Sequence, residues 1–369
     1  MSGRNPEMKA FRKYLVVSIS AGILGFPFLG ILNSLILLAG IFLVLLLWDR
    51  SHSAGAWAAS FWFKSRMPRA EKIGAVILLS SFILPPFLGS YGQDVLISMC
   101  LYIILSIGLN IHVGLTGMLN LGYIAFYAVG AYSHALLSTR FAMPFWLDLF
   151  IGACMAGGFG FLLCLPTLRL RGDYLAIVTL AFGEMVRIIL NNWDSLTGGP
   201  NGILGVKRPE ISGIEFTSPI HFYYLILIMT ILLVFVTRRL IASRVGRALM
   251  AIREDELAAE AMGINTSRMK LLAFSIGAAY AGAAGAFFAA KQGFVSPESF
   301  NFLESVLVLC MVVLGGMGTL FGPILGAAIL VLLPEVLREF HLYRMLIFGL
   351  AVVAMMIFMP QGLLGTRKQ

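Results

Sequence analysis

The chain has 369 residues, of which 59% are hydrophobic and only 12% are charged, and its mean hydropathy is +0.90. Soluble domains carry about 25% charged residues, so this composition excludes a soluble globular fold and predicts an integral membrane protein. The net charge of +9 could suggest nucleic acid as a partner. We do not expect nucleic-acid binding, because basic residues in short loops between apolar runs are explained by membrane topology and contact with anionic lipid.

The apolar runs are continuous and do not alternate with polar residues, which predicts spanning α-helices rather than a β-barrel. In chain order the predicted segments cover residues 15–32, 33–48, 72–89, 95–112, 121–138, 146–166, 174–190, 220–240, 270–290, 303–317, 320–336 and 343–359. We therefore expect an all-α polytopic transmembrane helix bundle of about 10–12 membrane segments. Several segments are shorter than ~20 residues, which leaves helix tilt, bilayer thinning and incomplete crossing open.

The basic residues also predict orientation, because most of the 27 Lys and Arg residues fall on one side of this arrangement. By the positive-inside rule, both the N and the C terminus are expected in the cytoplasm. Residues 1–70 are predicted to form an N-terminal membrane hairpin and a basic cytoplasmic linker, although the hairpin at 15–48 could equally be peripheral. Residues 71–369 are expected to form one transmembrane domain.

Two glycine-rich runs, at residues 114–132 and 315–329, each precede an apolar helix. Four residues of the first run, Gly117, Met118, Gly122 and Gly130, have approximate counterparts in Gly316, Met317, Gly322 and Gly326. This correspondence suggests an internal pseudo-repeat of two halves, which is common in transporters. The alternative is that small residues only let helices approach closely, and that interpretation fits residues 275–290 better.

Irregular backbone at membrane depth is tolerated where it lines a cavity, so the break at 114–122 and the helix after it are candidates for a substrate path. An intramembrane charge, Glu184, adds to this set. It is three residues from Arg187, so both side chains share one helical face and can pair. The candidate path residues are Gly117, Asn120, Tyr123, Phe126 and Glu184.

The sequence contains no motif for metal, nucleotide or hydrolytic chemistry. The four cysteines lie singly in apolar runs and are predicted to be small core residues. The five histidines form no close pair, so no metal site is expected. No Gly-Lys dipeptide is present, which excludes a Walker A loop, so another subunit must bind any ATP that is used. We expect neither enzymatic activity nor a cofactor bound by this chain.

The longest predicted external loop covers residues 191–219. Its centre is typical of a constrained turn with exposed backbone N–H groups. This turn could close the outer mouth or contact an external partner, and a plain connector is the alternative. The residues concerned are Thr197, Gly198, Gly199, Pro200, Asn201 and Gly202.

A charged island at residues 238–270 separates two apolar segments. Ser243 can cap a helix that begins near Arg244, after which four apolar residues share one face: Val245, Ala248, Leu249 and Ile252. Acidic residues follow, and Gly263 can end a second short helix. A cationic helix lying on lipid would not carry so many acids, which favours a protein partner for this island.

Several motifs together resemble those of branched-chain amino acid ABC importer permeases, in particular the LivM subfamily. GRALMAIREDELAAEAMGI, at residues 246–264, resembles their cytoplasmic coupling loop, with a loose form of the EAA signature. The other matching motifs are RLRGDYLAIVTLAFGEMVRIILNN, TGGPNGI, KQGFVSPESFNFLES, VVLGGMG and PQGLLG. The resemblance covers about residues 95–365 in order.

The resemblance implies a multi-pass permease of the bacterial inner membrane that imports leucine, isoleucine and valine without covalent chemistry. The implied partners are a homologous second permease, two cytoplasmic ABC ATPases, a periplasmic amino-acid binding protein and membrane lipid. Loop 241–268 would contact the ATPases, with Glu256 and Glu260 both possible as the signature acid. The implied coupling residues are Gly246, Arg247, Ile252, Arg253, Glu254, Asp255, Glu256, Glu260 and Gly263. The chief alternative is a secondary transporter or channel that works without ATPases and couples to an ion or proton through Glu184.

Overall fold

A computed structural model describes residues 85–336 apart from 169, 171, 212, 213 and 217, together with 346, 349, 350, 353 and 362–364. Within these residues the chain is almost entirely helical, and its strands form two small antiparallel sheets. Two predicted features lie outside the described residues, namely the hairpin at 15–48 and the linker that follows it. Of the predicted span at 343–359, only four residues are described. Most of the predicted span at 72–89 lies outside the described residues too, and its described part holds a short 3₁₀ turn, Pro85–Phe87.

The helices follow the apolar runs of the sequence. They are α1 Ser90–Asn110, which continues as a π-helix Ile111–Leu115, then α2 Ile124–Arg140, α3 Phe145–Thr167, α4 Asp173–Asn192, α5 Asp194–Thr197, α6 Pro219–Ala242, α7 Arg244–Glu254, α8 Glu256–Ala261, α9 Thr266–Gln292, α10 Phe302–Gly315 and α11 Gly322–Val336. The strands are β1 Ile203–Leu204, β2 Glu210–Ile211, β3 Ile214–Glu215 and β4 Phe294–Val295, and β1 pairs with β4. Each span predicted between residues 95 and 336 coincides with a helix, so the prediction of an all-α bundle is confirmed.

Not every helix of the described residues is long enough to cross a membrane alone. Four are long and apolar enough, namely Ser90–Leu115, α3, α6 and α9, whereas α10 and α11 are shorter apolar helices. The Tyr102 hydroxyl, near the middle of Ser90–Leu115, donates to Glu304 Oε2 at 2.8 Å. Glu304 is half-buried there, at the start of α10.

The starts of α2 and α10 meet in the interior. The Ile124 amide, the first of α2, donates to Ser305 Oγ at the start of α10 at 3.1 Å, and Ser305 is fully buried. The first turns of both helices therefore contact each other among buried residues, while tilt, bilayer thinning and incomplete crossing stay open for the short predicted spans. The connections that precede these helices thus place irregular backbone within the bundle.

Helix α9 occupies the centre of the bundle and makes its most extensive contacts with α3 and α2. Glycines permit this packing. A Cβ added at Gly130 of α2 would lie within 3 Å of the α9 backbone, and one added at Gly282 of α9 would lie within 3 Å of the α3 backbone. Gly285 of α9 is similarly close to the α2 backbone. The prediction that the small residues of 275–290 provide close helix packing is confirmed.

The cysteines are only partly where the sequence suggests. Cys100 and Cys164 are buried, as expected of small core residues, and Cys310 is half-buried. Cys154 is exposed on α3, so its predicted core position is wrong. The apolar face of α3 on which it lies points outward because α2 and α9 cover only the glycine-rich side of that helix.

Candidate functional site: the coupling element and the glycine breaks

The charged island folds into two short helices, α7 and α8, which together we name the coupling element (residues 244–261). The Ser243 hydroxyl accepts a hydrogen bond from the Gly246 amide at 3.2 Å, which caps α7 as predicted. Asp255 has an extended backbone that ends α7, and its Oδ1 accepts from the amides of Leu257 and Ala258, which caps α8. Gly263 adopts a φ of +84° just beyond α8 and thus ends it, as predicted.

The coupling element buries one face against the bundle and leaves the other exposed. Leu249 and Ile252 are buried, and Val245 and Ala248 are half-buried, so the predicted apolar face is confirmed. Gly246 is buried as well, because α7 lies so near the end of α6 that an added Cβ would come within 3 Å of Leu240 and Ile241. The charged side chains of Arg247, Glu254, Asp255 and Glu260 are exposed. Arg253 is exposed as a residue, but its guanidinium reaches back to the bundle.

A buried ion pair attaches α8 to α9. Lys270 Nζ lies against Glu256 Oε1, and the side chain of Lys270 is only 6% exposed while that of Glu256 is 22% exposed. Glu260, one turn further along α8, is exposed. The two acids that the sequence leaves as alternatives therefore differ in environment, since Glu256 has an internal partner and Glu260 faces outward.

A second polar contact attaches α7 to the first glycine break, which we define as residues 114–122. Arg253 Nη1 donates to Gly114 O at 2.6 Å. Gly114 lies in the last turn of the π-helix, which ends at Leu115, and Gly117 follows with a φ of +73°. Single-turn π segments are common at functional sites because they displace the following residues from helical register.

The predicted path residues that follow this break lie in the interior of the chain. Asn120, Tyr123 and Phe126 are each 0% exposed. The Tyr123 hydroxyl donates to Gly277 O of α9 at 2.9 Å. Asn120 Nδ2 bonds with His112 Nδ1 at 3.1 Å, and Asn120 Oδ1 accepts from the Gly122 amide at 3.0 Å. Their role in a substrate path stays a prediction.

Two residues that sequence reasoning missed, His112 and Asn110, organise this break. His112 Nε2 contacts Phe274 O at 3.2 Å, and the His112 ring stacks on the Phe274 ring with centroids 4.5 Å apart. With Nδ1 accepting from Asn120 and Nε2 donating to Phe274, the contacts fit one neutral imidazole tautomer. The available signal was a pair of polar residues at the end of an otherwise apolar helix.

Asn110 joins the first break to the second glycine break, residues 315–322. Its Oδ1 accepts from the Gly318 amide at 2.9 Å, and its Nδ2 donates to Thr319 O at 2.9 Å. Gly316 and Gly318 both have positive φ, as Gly117 does in the first break. The two glycine-rich runs thus meet in space, whereas their descent from a two-half repeat stays a prediction.

Glu184 and Arg187 pair on α4, as their spacing predicts. Arg187 Nη2 lies 2.8 Å from Glu184 Oε2, and the two side chains are 36% and 33% exposed. Gly183, the residue before Glu184, packs against Gly122 of the first break, since an added Cβ would contact the Gly122 Cα at 3.0 Å. The pair is therefore half-exposed on α4, and Glu184 is adjacent in sequence to the glycine that contacts the first break.

The predicted external loop is more ordered than a plain turn. It contains α5, a 3₁₀ turn at Gly199–Asn201 and the strand β1, which pairs with β4. Gly198, Gly199 and Gly202 all have positive φ, which confirms a constrained turn. The prediction of exposed backbone N–H groups is wrong for these three glycines, because their amides bond to Asp194 O, Thr197 Oγ1 and Gly199 O within the turn. Pro200 and Asn201 are exposed, and Thr197 is buried.

An arginine at the end of α2 anchors this loop. Arg140 Nη2 donates to Ser195 O at 2.8 Å and to Leu196 O at 3.1 Å.

Arg140→Ala should leave the bundle intact but increase hydrogen–deuterium exchange of residues 194–202 by about tenfold, since a charge-assisted bond to backbone oxygen is worth about 1.5 kcal/mol or more. Lys207→Ala, which removes an exposed cation from the same loop, is the control. Equal exchange in Arg140→Ala and wild type would contradict the anchoring role.

Spanning helices, two interior helix starts and a folded charged element at one end define the chain as a multi-pass helical membrane protein. A family described as the permease component of branched-chain amino acid transport systems matches residues 93–360. The chain belongs to this family, and it is a multi-pass protein of the inner membrane.

Individual relatives agree with this assignment. The high-affinity branched-chain amino acid transport system permease protein LivM of Escherichia coli K12 is 48% identical over 324 residues, which cover 81% of this chain and 76% of the relative. The permease protein LivH of the same strain is 28% identical over 284 residues, covering 72% and 91%. A probable LivM of Methanocaldococcus jannaschii is 23% identical over 317 residues, covering 72% and 90%. No solved structure matches the chain.

Proposed function

We propose that this chain is a membrane-spanning subunit of an ATP-driven importer for branched-chain, aliphatic amino acids. The relatives that match it at high coverage are named as permeases of branched-chain amino acid transport. A zwitterion with an apolar side chain suits the surroundings of the first glycine break, where the buried groups of Asn120 and Tyr123 are polar but uncharged. The chain itself would bind no cofactor and catalyse no covalent step.

A homologous second permease is proposed to complete the translocation path. One strain of Escherichia coli has both a LivM and a LivH relative of this chain, and both are named as permeases of a high-affinity branched-chain amino acid transport system. The half-exposed side of α4, beside the first glycine break, is a suitable boundary for the partner. A periplasmic amino-acid binding protein would deliver substrate to the outer side, where the turn Thr197–Gly202 is a candidate contact.

The coupling element carries the proposal of ATP coupling. It is a compact, doubly capped unit that contacts the bundle through one face and presents charges outward. Two cytoplasmic ATPases would dock on this outward face, and closure of the ATPase dimer would move the element and shift the bundle between outward-open and inward-open states. Of the two candidate acids, exposed Glu260 is proposed as the one that contacts the ATPase, since Glu256 pairs with Lys270.

Co-purification with an acid variant tests this docking proposal. We expect a tagged chain, gently solubilised from its native membrane, to bring down ATPase subunits, and Glu260→Arg to reduce their recovery at least about tenfold because it reverses an exposed charge at the interface. Glu298→Arg reverses an exposed acid in the connection between α9 and α10 and serves as the matched control. Recovery of no ATPase with the wild-type chain, or equal recovery with Glu260→Arg, would contradict the proposal.

A further inference from the structure

Arg253 contacts both glycine breaks from the last turn of α7. Besides the 2.6 Å bond from Nη1 to Gly114 O, the guanidinium lies against Gly318, where an added Cβ would come within 3 Å of it. Gly117 touches the aliphatic part of the same side chain, since a Cβ there would be 3.4 Å from Cγ. One side chain of the coupling element therefore reaches the first break and the second break together.

The two breaks that Arg253 contacts are bonded to each other. Asn110 is 1% exposed and makes hydrogen bonds to Gly318 and Thr319 across the gap. Substituting a larger residue for Gly114 would also clash with this bridge, because an added Cβ would lie 2.5 Å from the Gly318 amide nitrogen. A displacement applied at Gly114 is thus shared with the loop between α10 and α11.

Hydrogen bonds continue from the first break to the interior start of α2. His112 O accepts from the Met118 amide at 3.1 Å, and the His112 ring connects through Asn120 to the Gly122 amide. Two residues later the Ile124 amide bonds to Ser305 of α10. Hydrogen bonds that alternate with short stretches of backbone therefore lead from Arg253 to the place where α2 and α10 begin.

Space for movement exists beside the joint between α7 and α8. A cavity of about 270 Å³ lies there, lined among others by Gly117, Arg253, Asp255 and Lys270. Three of its charged groups have partners within the chain: Arg253 bonds to Gly114, Asp255 caps α8, and Lys270 pairs with Glu256. The cavity therefore leaves space in which the junction between α7 and α8 can bend. Because these three charged groups already have partners, they do not form a ligand site.

We infer that Arg253 is a positioning residue that transmits movement of the coupling element to both glycine breaks. The inference rests on the proposed function. When α7 shifts, the Arg253–Gly114 bond draws the π-helix and the bonded second break with it, while the Lys270–Glu256 pair holds α8 to α9. In this inference the π-helix is the segment that changes shape, by moving toward α-helical register when the pull on Gly114 changes.

The ratio of leucine transported to ATP hydrolysed tests this role in the complete transporter, reconstituted in lipid vesicles with its binding protein. Arg253→Ala should lower the ratio by about tenfold, within the usual range of coupling between sites, while ATP hydrolysis stays within about twofold of wild type. Arg253→Lys should recover part of the ratio because it keeps a charged donor on a long side chain. Arg239→Ala is the control, since Arg239 is exposed and stacks on Phe235 of its own helix.

A wild-type ratio in Arg253→Ala would overturn the inference. So would a parallel loss of transport and hydrolysis, or a failure of every Arg253 variant, including the lysine one, to assemble, because these results indicate a general structural role. Failure of the proposed function is distinguishable, since the wild-type complex itself would then show no leucine uptake that depends on ATP.

Discussion

Gly130→Val is expected to prevent the chain from reaching a stable fold. Gly130 of α2 faces Gly282 of α9, and an added Cβ would lie within 3 Å of the Gly282 backbone, which cannot move aside as a flexible side chain could. Overpacking a well-packed interior typically costs 1–3 kcal/mol, and we expect about 3 kcal/mol or more here because the clash involves backbone on both helices. The two helices must separate, so the Gly130–Gly282 contact is lost. Gly152 of α3 packs against both of these glycines and would lose its place as well.

Gly158→Val provides the matched control for this change. Gly158 lies on exposed α3, and a Cβ added there would meet nothing within 4 Å. It makes the same change of helix propensity as Gly130→Val without the clash. Size-exclusion profiles and thermal unfolding in detergent should show aggregation of the Gly130 variant and wild-type behaviour of the Gly158 variant. A monodisperse Gly130→Val protein with unchanged thermal stability would contradict the close α2–α9 packing.

Lys270→Glu is expected to detach α8 from the bundle. The change places two carboxylates at a site where the lysine side chain is 6% exposed, and breaking such a buried pair typically costs 3–5 kcal/mol. Because Glu256 is 22% exposed and retains some hydration, we expect about 3 kcal/mol. ATP-dependent leucine uptake should be lost, and protease sensitivity of residues 254–263 should rise, while α9 stays folded through its glycine contacts.

A charge swap separates this effect from simple loss of a lysine. The double variant Lys270→Glu with Glu256→Lys should recover part of the uptake because the pair is restored with reversed polarity. Arg268→Glu, an exposed charge reversal two residues earlier on α9, should behave like the wild type. If the double variant were no better than Lys270→Glu alone, the pair would not be what holds α8 in place.

The bundle and its surface element could be predicted because their signals are local. Continuous apolar runs indicate spanning helices, and the order of Ser243, the apolar face and Gly263 indicates a capped amphipathic helix followed by a second short one. The spacing of Glu184 and Arg187 likewise indicates an ion pair on one helical face. Each of these predictions depends on residues of one helix or of two consecutive helices.

The connections between distant segments could not be predicted in this way. Asn110 bonds to Gly318 and Thr319, and Arg253 bonds to Gly114 across 139 residues of sequence. No periodicity links such positions, because the contacts arise only when α1, α7 and the α10–α11 loop are packed together. The buried His134–Asp148 pair, with Nδ1 and Oδ2 3.1 Å apart, was missed for the same reason.

The helix starts at Ile124 and Phe302 show a second limit of sequence reasoning. A short apolar run is compatible with a tilted crossing or with a helix that begins inside the bundle. The bonds from Tyr102 to Glu304 and from Ile124 to Ser305 place both helix starts against other helices, which the apolar runs do not reveal. A tilted crossing helix and a helix that begins inside the bundle have the same apolar composition, so composition does not separate them.

Uptake of radiolabelled leucine by vesicles that contain this chain tests the central proposal most directly. The chain would be reconstituted with its second permease and binding protein, with or without the ATPase subunits, and with ATP or an imposed ion gradient as the energy source. We predict that leucine accumulates only when both the ATPase subunits and ATP are present. Accumulation driven by an ion or proton gradient without the ATPases would contradict the account and indicate a secondary transporter.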